Sequence, residues 1–346
     1  MALSTVVLAQ ISLETQGIAE SHRQEPDGVL RPLLQVVTRL LGTLRKAWLV
    51  LLAVVAIVAI VWMLRNEAST FAWPQLVSAR VLALTCVAQL VFWWFAATMW
   101  TRLSRIVAGN HVSTWHGFQQ LALVGLGKYL PGKIWGMVAR GSHMAAQGVS
   151  TQRIAVATFY EQCILLHGAV IMCAAAYALQ HPTGLFLTIA VAALLSMFTG
   201  SWWSAVAVRA GGWLAQRAGL GFSEDDIRAV DNGQYFWLVL GYALLWTMLG
   251  GVFLGLYCAF FNDAVSVRTG LGLVMANAVA ITAGFFALFA PGGIGVREAV
   301  GASILAAYIP LPEAAALVIL FRIWATAMDG IAGVAVIPSL RRSKGT

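Results

Sequence analysis

Apolar residues fall in long unbroken blocks, and the blocks predict the elements. A membrane-crossing helix needs about 20 mostly apolar residues. Residues 47–64, 80–100, 152–180, 184–208, 235–261 and 312–338 satisfy that requirement, which predicts about six crossings. Two further stretches are apolar but interrupted. Residues 113–127 and 131–146 flank the phrase Leu130-Pro131-Gly132-Lys133-Ile134-Trp135-Gly136. Residues 268–290 and 292–308 flank Ala290-Pro291-Gly292-Gly293-Ile294-Gly295. Lipid cannot hydrogen-bond the amide and carbonyl groups that a broken helix exposes, so such breaks must be held inside protein or face a cavity. Each interrupted stretch therefore reads as a re-entrant helical hairpin. The expected fold is an all-α polytopic membrane protein.

Polar segments complete the pattern. Residues 1–46 form a polar cytoplasmic N-terminal segment, and residues 2–13 lack the basic start of a signal peptide. Residues 209–233, with Glu224, Asp225 and Asp226, read as a solvated loop, and residues 339–346 as a cytoplasmic tail. Composition agrees with the blocks: 60% of residues are hydrophobic and 10% charged, against about 25% charged in ordinary soluble chains. The net charge of +8 would suggest nucleic acid in a soluble protein. Here the basic residues cluster at span ends, where they set orientation, and no nucleic-acid partner is expected. Cys86, Cys163, Cys173 and Cys258 lie in apolar segments without metal-ligand or redox spacing and are expected to pack as small hydrophobes. No metal and no cofactor are expected.

The basic residues also orient the chain. With the N-terminus cytoplasmic, fourteen of them, from Arg23 to Lys344, fall on cytoplasmic segments, and only Arg65, Arg80 and Arg268 fall outside. Cytoplasmic segments are enriched in Lys and Arg, so both termini are expected in the cytoplasm. In this topology the first hairpin enters from the cytoplasm and the second from outside. Each is preceded by one span and followed by another, giving units at about 80–180 and 235–338 joined by 184–208. That is an inverted-topology repeat, an architecture common among secondary transporters. Pro131 lies 30 residues before Glu161, and Pro291 lies 31 before Arg322.

The phrases Lys128-Tyr129-Leu130-Pro131-Gly132-Lys133-Ile134-Trp135, with Arg140, and Pro291-Gly292-Gly293-Ile294-Gly295-Val296-Arg297-Glu298, with Arg322, resemble the lysylphosphatidylglycerol synthase transmembrane-domain family, also called flippase-like. The resemblance covers roughly residues 45–340, which makes 47–338 the flippase-like domain. It implies a bacterial inner-membrane protein that moves or holds lipids. Bifunctional members join this domain to a cytosolic aminoacyltransferase. The chain ends at Thr346 just after the last span, so a stand-alone member without lysyl-transfer chemistry is expected. Many members carry a Gly-Glu pair where this chain has Trp135-Gly136.

The hairpins also carry candidate chemistry. Helix N-termini present free amide donors and partial positive charge, a natural anion site. Gly132, Gly292, Gly293 and Gly295 permit close backbone approach. Five bases lie near the breaks or inside spans: Lys128, Lys133, Arg140, Arg297 and Arg322. Three acids accompany them, Glu161, Glu298 and Asp329, leaving a surplus of two positive charges. Charge in a membrane is costly unless paired or hydrated, and a surplus of this sign suits a phosphate-bearing headgroup. Lys133, Arg140, Arg297 and Arg322 are the expected headgroup ligands, with Glu161, Glu298 and Asp329 pairing or tuning them. Arg322 and Asp329 are seven apart on one face, where a local ion pair is an alternative. Lys128 is expected to snorkel, Glu313 to begin a helix, and His143 and His167 to serve as polar packing groups.

The expected function is binding and transbilayer movement of an anionic lipid, of phospholipid or polyprenyl-phosphate type, through a central basic cavity. No acidic metal-binding pair or nucleophile–base arrangement appears in a span, so an enzyme is disfavoured. The alternatives are an accessory subunit for a polyprenyl-linked glycosyltransferase or, further off, a lipid-modifying enzyme. The expected partners are an anionic lipid and the membrane, with a glycosyltransferase or a second copy of the chain as further candidates.

Overall fold

The computed structural model describes residues 77–109, 111–128, 135–217, 230–261, 265–287, 293 and 295–342. The chain divides into units of residues 1–63 and 64–346, and every described residue belongs to the second. The expected segment 1–46, the span 47–64, most of the acidic loop and the last residues of the tail lie outside the described residues. So do Pro131, Gly132, Lys133, Pro291 and Gly292.

The described residues form ten α-helices and one 3-10 turn, with no strand among them. In chain order these are α1 (Ala79–Ala108), α2 (Thr114–Gly127), α3 (Trp135–Ala145), α4 (Thr151–Gln180), α5 (Gly184–Leu195), α6 (Gly200–Arg217), α7 (Asn232–Phe261), α8 (Val267–Phe286), α9 (Val296–Leu305) and α10 (Leu311–Arg342). Five helices are long and apolar enough to cross a membrane by themselves: α1, α4, α7, α8 and α10. Short polar residues mark the starts of α1, α2, α4, α5 and α8. The side chains of Ser78, Ser113, Ser150, Thr183 and Ser266 each accept a backbone N–H from the first turn of the helix that follows, satisfying a donor that the helix itself leaves unpaired.

The span expected at 184–208 is not one straight helix. It is α5 and α6, bent by 71° about a 3-10 turn at Ser196–Phe198. Hydropathy runs unbroken across the bend, but two hydroxyls compete with the helical ladder there. Ser196 Oγ donates to Ala193 O and Thr199 Oγ1 to Ser196 O, both at 2.6 Å. Such back-bonding bends helices. His167 of α4 fixes the corner, with Nε2 2.7 Å from Ser196 Oγ and Nδ1 2.7 Å from Tyr235 Oη. His167 thereby ties α4 to the corner and to α7. The helix also continues to Arg217, where the sequence pattern predicted a loop from residue 209.

Side-chain neighbours fix the relative directions of the helices. α1 and α7 are antiparallel: Met99 packs at Gly241, Thr85 at Gly255, and Ser78 N–H donates to Ala259 O. α4 and α7 are parallel: Tyr242 meets Glu161 and Trp246 Nε1 donates to Leu165 O. α10 is antiparallel to α7, through Tyr257 with Glu313 and Phe253 with Phe321. Because α4 and α7 point the same way, the chain between them must travel back along the bundle. α5 and α6 do this together, with Phe186 against Tyr177, Ser196 against His167 and Gly211 against Val156. The pairs α2–α3 and α8–α9, by contrast, each join antiparallel helices and return toward the end they left.

Close packing holds these pairs. A Cβ on Gly136 would stand 2.6 Å from Val124 O and 2.8 Å from Val124 Cα, so α2 and α3 touch backbone to backbone. α8 and α9 meet similarly at Gly293, which has φ +72° and sits against the backbone of Gly284. α8 spans 20 residues and is longer than a half-crossing arm, whereas α9 has only 10.

Candidate functional site

Arg140, on α3, is 1% exposed. Its Nη1 donates to Glu161 Oε2 on α4 at 2.7 Å, and its guanidinium lies 3.9 Å from the centre of the Trp100 ring. Tyr242 Oη donates to the other Glu161 oxygen at 3.4 Å. Trp100 Nε1 in turn donates to Gln120 Oε1 at 2.6 Å, and Gln120 Nε2 lies 3.4 Å from His143 Nδ1. Five elements thus enclose one cation. Arg140 Nε and Nη2 have no hydrogen-bond partner, and the aromatic face beside the guanidinium supplies part of what water would have given.

The second hairpin places opposite charges in the opposite order. Glu298 is on the hairpin arm, α9, and its partner Arg322 is on the following helix, α10. Glu298 also accepts the Gly295 N–H at 2.7 Å, closing the first turn of α9. α3 and α9 are therefore each tied to the helix that follows by an ion pair, with the signs exchanged. Arg297, adjacent in sequence, points elsewhere: its Cζ lies 5.2 Å from the centre of the Phe321 ring. It also borders a small cavity together with Phe253, Asn277, Gly301 and Phe321.

A third pair joins the end of α2 to α10. Lys128 Nζ lies 2.5 Å from Asp329 Oδ2 on α10, and Gly125 packs against the same carboxylate. The local pair between Arg322 and Asp329 does not form. Those two residues lie on one stripe of α10 but reach different hairpins, Asp329 the end of α2 and Arg322 the start of α9. Lys128 is three residues before Pro131, and Glu298 is seven after Pro291. Both turn ends thus attach to α10 seven residues apart, about 10 Å along the axis, near the centre of its apolar stretch Leu311–Val336. Lys128 is not simply snorkelling.

The three candidate acids are all engaged, with Arg140, Arg322 and Lys128. The cavity that Arg297 borders is not lined by Arg140 or Arg322. Lys133, Gly132 and Gly292 lie outside the described residues, and Gly295 is exposed at the α9 N-terminus with φ +85°. Glu313 lies in the first turn of α10, as expected, and accepts from Tyr257 Oη at 3.1 Å. Trp100, Tyr242 and Asn277 escaped the sequence reading. Each is one residue in an apolar helix, and nothing in a hydropathy pattern marks it. Among the described residues no three His, Cys, Asp or Glu side chains gather as metal ligands.

A family model described as lysylphosphatidylglycerol synthase TM region matches residues 48–333. No curated protein and no solved structure gives a significant match.

Proposed function

The chain belongs to that lysylphosphatidylglycerol synthase TM region family, and from this premise we propose that it binds an anionic, phosphate-bearing lipid and moves it across the bilayer without covalent chemistry. Family membership and five membrane-length helices make it a multi-pass membrane protein with a lipid-related role. The observation that carries the finer reading is the meeting of both turn ends near the centre of α10, tied through Asp329 and Arg322. Helix pairs that return to opposite ends of the bundle and meet near its centre match the inverted-repeat plan, in which ligands bind at the midplane. In this reading α2–α3 enters from the cytoplasm and α8–α9 from the far side of the bacterial inner membrane, with both termini cytoplasmic.

The sign of the site follows from charge. The sequence places five bases and three acids in these segments, a surplus of two positive charges. An anionic headgroup is the ligand that such a surplus favours, and Arg holds phosphate oxygens in a bidentate fork. Arg140, walled in by Trp100 and Glu161, fits better as a structural cation than as a headgroup ligand.

The test is transport in liposomes of fluorescent phosphatidylglycerol by wild type, Arg297→Ala and Arg322→Ala. Both variants are expected to insert normally and to lose headgroup movement. Wild-type rates from both would overturn the proposal. Binding of the lipid with no movement by the wild type would favour the accessory-subunit reading.

A further inference from the structure

A cavity is bordered by α7, α8, α9 and α10 and lined by Phe253, Asn277, Ala280, Arg297, Gly301 and Phe321 among others. Its volume, about 10 Å³, is close to that of one water-sized group. Asn277 is 3% exposed, and its Nδ2 has no hydrogen-bond partner. A buried amide donor left unmade is costly, and native structures rarely keep one without a ligand or bound solvent to receive it. The other polar side chain on the wall is a guanidinium, and no lining residue is acidic. The wall therefore offers the unpaired Asn277 amide donor and a positive charge, and apart from these two side chains its lining is apolar. The complementary group is a single acceptor atom that carries negative charge.

We propose that Asn277 and Arg297 form a site for one anionic acceptor atom: a phosphoryl oxygen of a lipid headgroup, or a small free anion such as chloride. Gly301 leaves the space open, because a Cβ there would meet Val318 and Ala280 at 3.2–3.3 Å. The headgroup form rests on the transport reading above, whereas the free-anion form stands without it. Asn277 supplies the neutral donor and Arg297 the charge, so both are needed for tight binding.

The test is the unfolding temperature of the full chain in detergent, titrated with chloride against gluconate at constant ionic strength, and separately with short-chain phosphatidylglycerol. The wild type is expected to show a saturable rise. Asn277→Leu is expected to weaken the apparent affinity by about tenfold or more, the usual effect of losing one hydrogen bond to a charged group. Asn277→Asp, nearly the same size, places a carboxylate against the anion and is expected to abolish the response; it serves also if the leucine variant fails to fold. A response to chloride identifies a free-anion site, and a response to the lipid alone identifies a headgroup oxygen. Titrations unaffected by either substitution, or no response to either ligand, would overturn the site and leave a bound water as the occupant. A chloride response in a protein that moves no lipid would leave the site standing and overturn the transport reading instead.

Discussion

Arg140 is sealed beside Trp100 and Glu161 at 1% exposure. A cation in such a place depends on its partner, because removing one member of a buried pair strands the other charge in a low dielectric. Glu161→Gln is therefore expected to cost about 3–5 kcal/mol of stability, measured as unfolding in mild detergent. Replacing both charges, as Arg140→Met with Glu161→Met, is expected to recover most of that loss, since the desolvation of both ions disappears together. Wild-type stability in Glu161→Gln would contradict the pairing. The double variant also separates two roles for Arg140: retained transport marks a structural cation, and lost transport in a stable protein restores it as a headgroup ligand. The charged residues themselves stood out in the sequence, since any ionisable group in an apolar span is conspicuous. Their partners did not. Arg140 and Glu161 are 21 residues apart, and Glu298 and Arg322 are 24 apart, on separate helices. The spacing of seven between Arg322 and Asp329 suggested a local pair, and only tertiary packing sent each to a different hairpin.

Among the elements, the α2–α3 contact is the one most exposed to a single methyl group. Gly136 approaches Val124 through backbone, and Gly127 approaches Gly136 in the same way. Neither neighbour is a flexible side chain that can turn aside. Gly136→Ala is accordingly expected to push the two helices apart and cost about 1–3 kcal/mol, the range for overpacking, with a matching loss of transport. An unchanged melting temperature would show that the pair is looser than this. The contact also accounts for glycine at position 136, which is buried against a helix backbone. Element boundaries were legible wherever an apolar run ended in a Ser or Thr cap, as at Ser78, Ser150 and Ser266. The corner between α5 and α6 was not, because hydropathy averages over the two hydroxyls and the imidazole that make it. α8 was legible as the apolar arm 268–290, but not as a helix long enough to cross a membrane by itself, since the Pro-Gly turn after it drew attention to a break.

For the whole molecule, the relative helix directions make a strong demand. With α4 parallel to α7 and α1 antiparallel to both, the loop after α4 and the loop after α7 must open on the same side, and the loop after α3 on the other. This relation follows from packing alone and does not depend on which side is the cytoplasm. The expected orientation rests separately on charge, with fourteen basic residues assigned to the cytoplasmic side against three outside. Single cysteines at Pro182, after α4, at Val267, after α7, and at Ala146, after α3, test both claims in one experiment. The background variant has Cys86, Cys163, Cys173 and Cys258 replaced by Ala. A maleimide that cannot cross the membrane, added to intact cells, is expected to label positions 182 and 267 and to spare 146 until the cells are opened. Labelling of 146 alone would reverse the orientation and keep the two hairpins opposed. Labelling that separates 182 from 267 would dissolve the inverted arrangement itself, and with it the meeting of two oppositely directed turns near the centre of α10 on which the lipid site depends.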